Sequence, residues 1–383
     1  MDYREIYVWV FLLVTVLYLV LIRAFTAGLR QSLRKKSGQK VKYNGFVTVI
    51  IAARNEEHTI ISTLNDLVQQ DYPAASLEVI VADDHSDDDT VGSVSRFSED
   101  YPEFPLILLT AAGAEANARG KKRAIERAVA RAKGDILLFT DADTRHGAGW
   151  ISSMVQGFAD PGVQMVLGPV CFNNEHNLLQ KIQSLEFLGL MGTTAGSAAL
   201  GFPVMCNGAN LAYRREAFLQ CGGFRENLKY ASGDDQFMMS TIRKQFGKKS
   251  LVFNTDPLSV VTTEPESTLA GFIHQRLRWV SKSRGYRDPA VIFVGLVTYL
   301  AHLFLFAGMV AGALFPPVWF ISLLFWMVKV LFEFPMVWKM SRFFGKQKMM
   351  RYYILAQIFQ LIYVPLAGGL GLVVPYRWKG RKG

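Results

Sequence analysis

Three short stretches of this chain carry the residue types of a charge-handling site. Asp141-Ala142-Asp143 follows the apolar run Ile136 to Thr140, and Gly233-Asp234-Asp235-Gln236 precedes Phe237-Met238-Met239. Gln275-Arg276-Leu277-Arg278-Trp279 stands shortly before Pro289, where a charge-free apolar run begins. Hard oxygen ligands such as Asp141 and Asp143 suit Mg²⁺ or Mn²⁺, which also bridges phosphate oxygens. A metal held there neutralises charge on a departing diphosphate. A carboxylate fixed at a helix start, as Asp234 or Asp235 would be, can take a proton from an acceptor hydroxyl. In the pentad, Gln275 and Arg278 are three apart and share a helix face, with Trp279 next to Gln275. Arginine suits a diphosphate through its paired N–H donors. Taken alone, each stretch has an ordinary explanation: an acidic surface turn, a helix cap, an interfacial helix. In this order, before an apolar run, they point to an enzyme that handles a metal-bound diphosphate at a bilayer.

Two more clusters fit the same chemistry. Asp83-Asp84 ends the apolar stretch Leu77 to Ala82. An acidic residue there can accept from a ribose hydroxyl or a base imide, as in dinucleotide folds. Asp87 to Asp89 read as caps of a helix starting near Thr90. Gly120-Lys121-Lys122-Arg123 is a basic helix start. Cations are unfavourable at that end of the helix dipole, so a bound anion would explain them. Lys121 is the phosphate candidate, while Lys122 and Arg123 read as a solvated face.

The elements that must position these residues alternate. Phe46 to Ala52 is a continuous β-branched run, the pattern of a buried parallel strand. Asn55 to Gln70 reads as a helix, Leu77 to Ala82 as a second strand and Pro105 to Leu109 as a third. Lys121 to Lys133 is a helix, and Ile136 to Thr140 a fourth strand. Such alternation predicts an α/β fold with a mostly parallel sheet covered by helices. Ligands of such sheets sit beyond the carboxyl ends of the strands, and Asn55, Asp83-Asp84 and Asp141-Asp143 all fall there. After Trp150 the pattern is less regular: Gln180 to Leu190 is helical, Asn207 to Tyr213 is a turn entering a strand, and Val260 to Thr268 is a loop.

The rest of the chain belongs to a membrane. Half of the 383 residues are hydrophobic, and the mean hydropathy is +0.18. Ile6 to Ile22, Pro289 to Val328 and Tyr352 to Val374 hold no charge. The first and last each suffice to cross a hydrocarbon core of roughly 30 Å. Phe315-Pro316-Pro317 divides the middle block in two. The net charge of +10 is concentrated beside these runs, in Arg23 to Lys42 and Lys339 to Arg351. That is the juxtamembrane pattern of cytoplasmic loops, and it argues against nucleic-acid binding. The first run lacks a small-x-small cleavage site and reads as an uncleaved anchor with its N-terminus outside. The three cysteines are scattered, without metal or disulfide spacing. Three crossings after Pro289 would leave the basic Arg377 to Lys382 outside, against the positive-inside rule. One segment is therefore re-entrant or interfacial, with a break expected at Pro365 to Gly369.

Together these residues resemble the membrane-embedded branch of glycosyltransferase family 2, inverting enzymes with the GT-A fold. Cellulose, hyaluronan and poly-N-acetylglucosamine synthases and ceramide glucosyltransferase-like enzymes belong to it. The resemblance covers roughly Phe46 to Ser283 and the flanking apolar runs. Ala53-Arg54-Asn55-Glu56 is similar to the turn that opens the family, Asp83-Asp84 to its nucleotide-binding acidic pair, and Gly120-Lys121 to its Gly-Lys. Asp141 and Asp143 match its nucleotide-sugar and metal motif, Asp234-Asp235 its catalytic pair, and Gln275, Arg278 and Trp279 its Gln-x-x-Arg-Trp. The turn at Asn207 is similar to its acceptor side. The usual Glu of the catalytic pair is the shorter Asp234 here, and the membrane part is smaller than in many processive synthases.

The resemblance implies an N-terminal anchor (1–28), a cytoplasmic GT-A domain (42–288), a membrane region of about three helical segments (289–376) and a basic tail (377–383). It implies an integral protein of the plasma (inner) membrane that uses Mg²⁺ or Mn²⁺. The donor would be a UDP-linked sugar, and the acceptor a growing cell-surface polysaccharide or, alternatively, a membrane lipid or lipid-linked glycan. Asp235 would be the base, Arg278 would stabilise the diphosphate and Trp279 would border the acceptor. An accessory export subunit or a homo-oligomer is compatible with this. A non-catalytic membrane subunit is the distant alternative, since it would not need the acidic motifs.

Overall fold

A computed structural model describes residues 3–34, 43–111, 120–228, 230, 232–379 and 381–382. Lys35, Lys36, Lys40 and Lys42 of the basic stretch lie outside the described residues, as do the side chains of Arg377, Arg381 and Lys382. The strands are β1 (Val47–Ala53), β2 (Leu77–Asp83), β3 (Leu106–Leu109), β4 (Ile136–Thr140), β5 (Arg145–His146), β6 (Met165–Leu167), β7 (Val170–Phe172), β8 (Leu211–Arg214), β9 (Leu251–Phe253), β10 (Val261–Thr263), β11 (Arg377–Trp378) and β12 (Arg381–Lys382). The N-terminal helix is α1 (Tyr3–Arg34), and the domain helices are α2 (Ile60–Val68), α3 (Thr90–Asp100), α4 (Lys121–Arg131), α5 (Trp150–Val155), α6 (Leu178–Ala199), α7 (Arg215–Gln220), α8 (Asp234–Phe246) and α9 (Leu269–Ser281). Three more follow: α10 (Pro289–Ala311), α11 (Pro316–Phe343) and α12 (Tyr353–Leu370).

The main sheet has seven strands in the order β3-β2-β1-β4-β8-β6-β9. β1 pairs in parallel with β2 on one side and β4 on the other. β8 runs antiparallel to β4 and β6. The strand order reverses between β1 and β4, which is where an open α/β sheet leaves a crevice at its carboxyl edge. β1, β2 and β4 are almost wholly buried because helices cover both faces. Alternate residues serve different cores. Val47, Val49 and Ile51 pack with Leu64, Leu67 and Trp150, whereas Ile50, Leu137 and Phe139 pack with Ile125, Leu188 and Met239.

Some boundaries differ from expectation. The first domain helix begins at Ile60, not Asn55, because Asn55 takes a left-handed backbone (φ 53°). Asparagine is one of the few residues that tolerates this. The loop expected over Val260 to Thr268 contains β10, which pairs with β5 and β7. The helix expected over Gln180 to Leu190 extends from Leu178 to Ala199, and Asn177 and Gln180 close a capping box at its start. Its small residues are a packing surface. A Cβ on Gly196 would lie 2.1 Å from the Phe25 carbonyl oxygen, and one on Gly28 would lie 2.3 Å from that of Gly196. Such close backbone approach is how helices associate in lipid.

Four helical segments are long and apolar enough to cross a membrane: Val8–Arg34, Pro289–Ala311, Pro316–Phe343 and Gln347–Leu370. The break expected at Pro365 is not there, since α12 continues through it. Instead α12 follows α9. Phe359 and Tyr363 pack on Phe272, and Gly371 sits against Val280. The chain beyond α12 then returns to the sheet domain. Tyr376 is buried there, Lys379 forms an ion pair with Glu56, and Arg54 Nε donates to the Lys379 carbonyl at 3.4 Å. Tail and sheet are therefore in direct contact.

Candidate active site

The turn that follows β4 aims the carboxylates of Asp141 and Asp143. Thr63 Oγ1 donates to the carbonyls of Ala142 (2.9 Å) and Thr144 (2.8 Å). Thr144 Oγ1 donates to the Asp141 carbonyl at 2.6 Å, and Thr140 Oγ1 to that of Ala209 at 3.0 Å. Beneath them His146 Nε2 lies 2.8 Å from Thr140 Oγ1. Burial pushes that imidazole down to about 4, so it is neutral at physiological pH. The strand-end kink that two alternate carboxylates need is thus bonded into place. Asp143 is exposed to the cleft. Surrounding protein that displaces water, and then the Asp141 charge, raise its carboxyl above the usual carboxylate value.

Lys121, at the first turn of α4, faces these groups. Its Nζ is 2.6 Å from Asp141 Oδ1 and 3.7 Å from Asp234 Oδ2. Burial opposes its charge, but Asp141 and Asp234 outweigh that and hold it above the usual lysine range. Asp84 Oδ1 accepts from the Gly120 amide at 2.7 Å, which ties this helix start to the end of β2. Lys122 corrects the expectation of a solvated face. It is buried, and its Nζ donates to the carbonyls of Asn227 (2.8 Å), Tyr230 (2.7 Å) and Ser232 (3.0 Å). It thereby holds the segment leading into Asp234-Asp235.

Asp234 and Asp235 open α8, where Gly233 (φ 91°) is the cap and neither aspartate bonds as one. A Cβ at Gly233 would meet the Phe237 ring at 2.9 Å. Asp235 Oδ1 accepts from the Gln236 amide at 2.7 Å and lies 3.5 Å from Lys282 Nζ. Burial would raise its carboxyl, but Lys282 and the Gln236 amide prevail and hold it below the usual carboxylate range. Lys282 was not anticipated, since nothing in a lysine after the pentad marks it as a partner of a residue 47 positions earlier.

The structure gathers most of the expected residues around one cleft. Ala53, Glu56, Asp84, Lys121, Asp141 and Asp143 line it from the strand ends, and Asn207, Asp234 and Asp235 from the far side. Gln275, Arg278 and Trp279 line it from α9. Asn55 and Asp83 are not in the lining. Asn55 Oδ1 accepts from the Asp87 amide at 2.9 Å, and the Asp83 carboxylate accepts from the Ser86 amide at 3.2 Å. Both shape the loop after β2 instead. Asp88, which bonds the Thr90 amide at 3.1 Å, caps the next helix. Tyr376 and Lys379 join the lining from the tail, a position that no local signal reveals.

Among the described residues no group of three or more His, Cys, Asp or Glu is assembled as a metal cage. The donors present still fit Mg²⁺ or Mn²⁺, which take one or two carboxylates and complete their shell with substrate phosphates and water. Asp141 and Asp143 place like charges together in the cleft, which a divalent ion held by them would neutralise.

A mostly parallel sheet with an acidic strand-end site, closed by a cationic-aromatic helix, defines a glycosyltransferase of the GT-A, family-2-like kind. Residues 7–367 match the family model for glycosyl transferase family 21, and the chain belongs to that family. It is 28% identical over 251 residues to an N-acetylglucosaminyltransferase of Bradyrhizobium diazoefficiens, a match covering 63% of this chain and 49% of that one. It is 26% identical over 257 residues to a poly-beta-1,6-N-acetyl-D-glucosamine synthase of Staphylococcus aureus, covering 67% and 58%. The matches thus span about half the length of these curated relatives. In fold the chain is similar to the mannosyltransferase PcManGT of Pyrobaculum calidifontis, solved with GDP-Man and Mn²⁺. The TM-score is 0.56 at 21% identity, with 91% of this chain and 99% of that one covered.

Proposed function

We propose that this glycosyltransferase moves a sugar, with inversion, from a nucleotide-diphosphate sugar to a hydroxyl of an acceptor held at the membrane surface. The observation that carries this is the ionised Asp235 carboxylate, fixed at the start of α8 in the same cleft as Asp141, Asp143 and Arg278. The acceptor hydroxyl gives its proton to Asp235, and its oxygen attacks the anomeric carbon from the face opposite the diphosphate. The anomeric C–O bond breaks with its electron pair leaving on the diphosphate. One displacement suffices, so no enzyme nucleophile is needed. Lys121 and Arg278 stand where the departing charge develops, and preorganised donors there lower the barrier. Asp141 and Asp143 would hold Mg²⁺ or Mn²⁺, which when bound neutralises diphosphate charge. A UDP-linked sugar is the first donor to test.

Two acceptors compete. The names of the curated relatives support a polysaccharide. The helix bundle favours a membrane lipid or lipid-linked glycan that receives one sugar. Its interior is filled by Phe11, Tyr18, His302 and Leu305 together with Lys329 and Glu333, all buried. Lys329 and Glu333 pair at 2.9 Å, and Gln357 bonds both. Among the described residues, α1, α10, α11 and α12 contribute nothing to the lining of the cleft. The cleft as lined does not continue between these helices, which supports the lipid-type acceptor over an exported polymer. We assign the catalytic domain and tail to the cytoplasm, a reading supported by the basic residues that flank the apolar runs. Incubating membranes that contain the protein with labelled nucleotide sugars and Mg²⁺ or Mn²⁺ tests this. A single-sugar lipid is the expected product; long polymer would overturn the acceptor assignment, and no transfer from any donor would overturn the activity.

A further inference from the structure

Arg276 occupies a spacer position of the Gln-x-x-Arg-Trp pentad, yet its guanidinium bonds Glu186 and Gln275. It points away from the cleft and is only 4% exposed. Its Nη2 lies 2.5 Å from Glu186 Oε2 and its Nε 3.3 Å from Glu186 Oε1, a two-pronged contact with the middle of α6. Tyr363 of α12 donates its hydroxyl to the same carboxylate. Arg276 Nη1 donates to Gln275 Oε1, and Gln275 Nε2 reaches Glu266 Oε1 at 3.3 Å. The guanidinium carbon lies 4.4 Å from the Phe272 ring centre and 4.3 Å from that of Trp279.

We propose that Arg276 is a positioning residue for transfer: clamped by Glu186 and Tyr363, it fixes the Gln275 amide and the Trp279 indole at the acceptor end of the cleft. This rests on the reading of the cleft as a glycosyltransferase site. A buried ion pair is a poor source of stability, since an apolar pair of equal volume often serves as well. What a planar fork does supply is direction. The guanidinium carbon sits over the indole, one of its N–H groups is bonded to the amide, and both neighbours line the cleft. Lysine cannot do this, because a single ammonium cannot hold a carboxylate at two points and lie flat against a ring. The clamp also joins three elements, α6, α9 and α12, so that the helix leading to the C-terminal tail is bonded to the acceptor end.

The experiment uses the full-length protein in detergent with two readouts. In the first, melting temperatures of Arg276→Lys, Trp279→Phe and the double variant are measured without substrate. Non-additive shifts are expected, because residues in contact couple; additive shifts would overturn the clamp. This readout stands even if the protein transfers no sugar, so failure of the activity reading is seen separately, in the wild type. In the second, steady-state kinetics are measured for Arg276→Lys, for Tyr363→Phe and for Glu186→Gln with Arg276→Met, the last leaving no unpaired buried charge. The acceptor KM should rise by about tenfold in Arg276→Lys and in the paired variant, and less in Tyr363→Phe, with the donor KM within about twofold of wild type. Unchanged acceptor KM and kcat, or equal losses for donor and acceptor, would show that the cluster only holds the fold together.

Discussion

Asp235 remains charged because Lys282 lies 3.5 Å away, and the same pairing sets how the site responds to change. Lys282→Met should slow transfer by removing the cation that orients the base, with nucleotide affinity little changed; equal loss of nucleotide binding would place Lys282 with the donor instead. Arg278→Ala should reduce kcat by roughly a hundredfold if Arg278 acts as a preorganised donor to the leaving diphosphate. Single-turnover rates with saturating donor would measure this. Lys122 gives a pH test. Burial pushes its ammonium down to about 8, against the favourable pull of Asp234 and Asp235. Below that value the ammonium bonds three carbonyls in the segment before α8; above it, one N–H donor is lost. Transfer should therefore decline as pH rises through about 8, and Lys122→Met should be slow throughout without that limb. Asp141 and Asp143 were legible in the sequence because an apolar strand ends at Thr140 and leaves them at the edge of the sheet. Lys122, Arg276 and Lys282 were not, since their meaning lies in partners such as Asn227 and Glu186 that no spacing rule connects to them.

At the scale of elements, strands β1, β2 and β4 could be read from the chain because each is a continuous apolar run buried on both faces. The start of α2 could not, because a left-handed Asn55 interrupts an otherwise helical pattern. The small residues of α6 likewise carry no period that announces a helix. They are explained by the crossing with α1, where the Gly196 Cα faces the Phe25 carbonyl. Two glycines of α6, one at that crossing and one facing α11, should respond differently to a methyl group. Gly196→Ala would place a methyl 2.1 Å from a backbone oxygen and should lower the melting temperature in detergent. At Gly189 the nearest atom to a new Cβ is Val337 Cγ2 at 3.8 Å, so Gly189→Ala should be neutral or raise stability, by up to about 1 kcal/mol from helix propensity. Equal behaviour of the two variants would contradict the α1–α6 packing described here.

The molecule as a whole joins a catalytic sheet domain to a compact helix bundle, and its tail closes the circuit. Lys379 reaches Glu56 from the far end of the chain, so the C-terminal tail is bonded to the sheet domain at the cleft. Lys379→Met should raise the donor KM more than the acceptor KM, because Glu56 lies at the strand-end side; kinetics with each substrate varied in turn would check this. The tail's return was illegible in the sequence. Its basic residues argue against three crossings after Pro289, but nothing in their spacing connects Lys379 to Glu56. We propose Asp235 as the base of a single inverting displacement. Its most direct test is Asp235→Asn, assayed for transfer and, by calorimetry, for nucleotide binding. Transfer should be lost while nucleotide affinity stays within about twofold, since the substitution keeps shape and removes only proton-accepting power. Full turnover in that variant would contradict the claim.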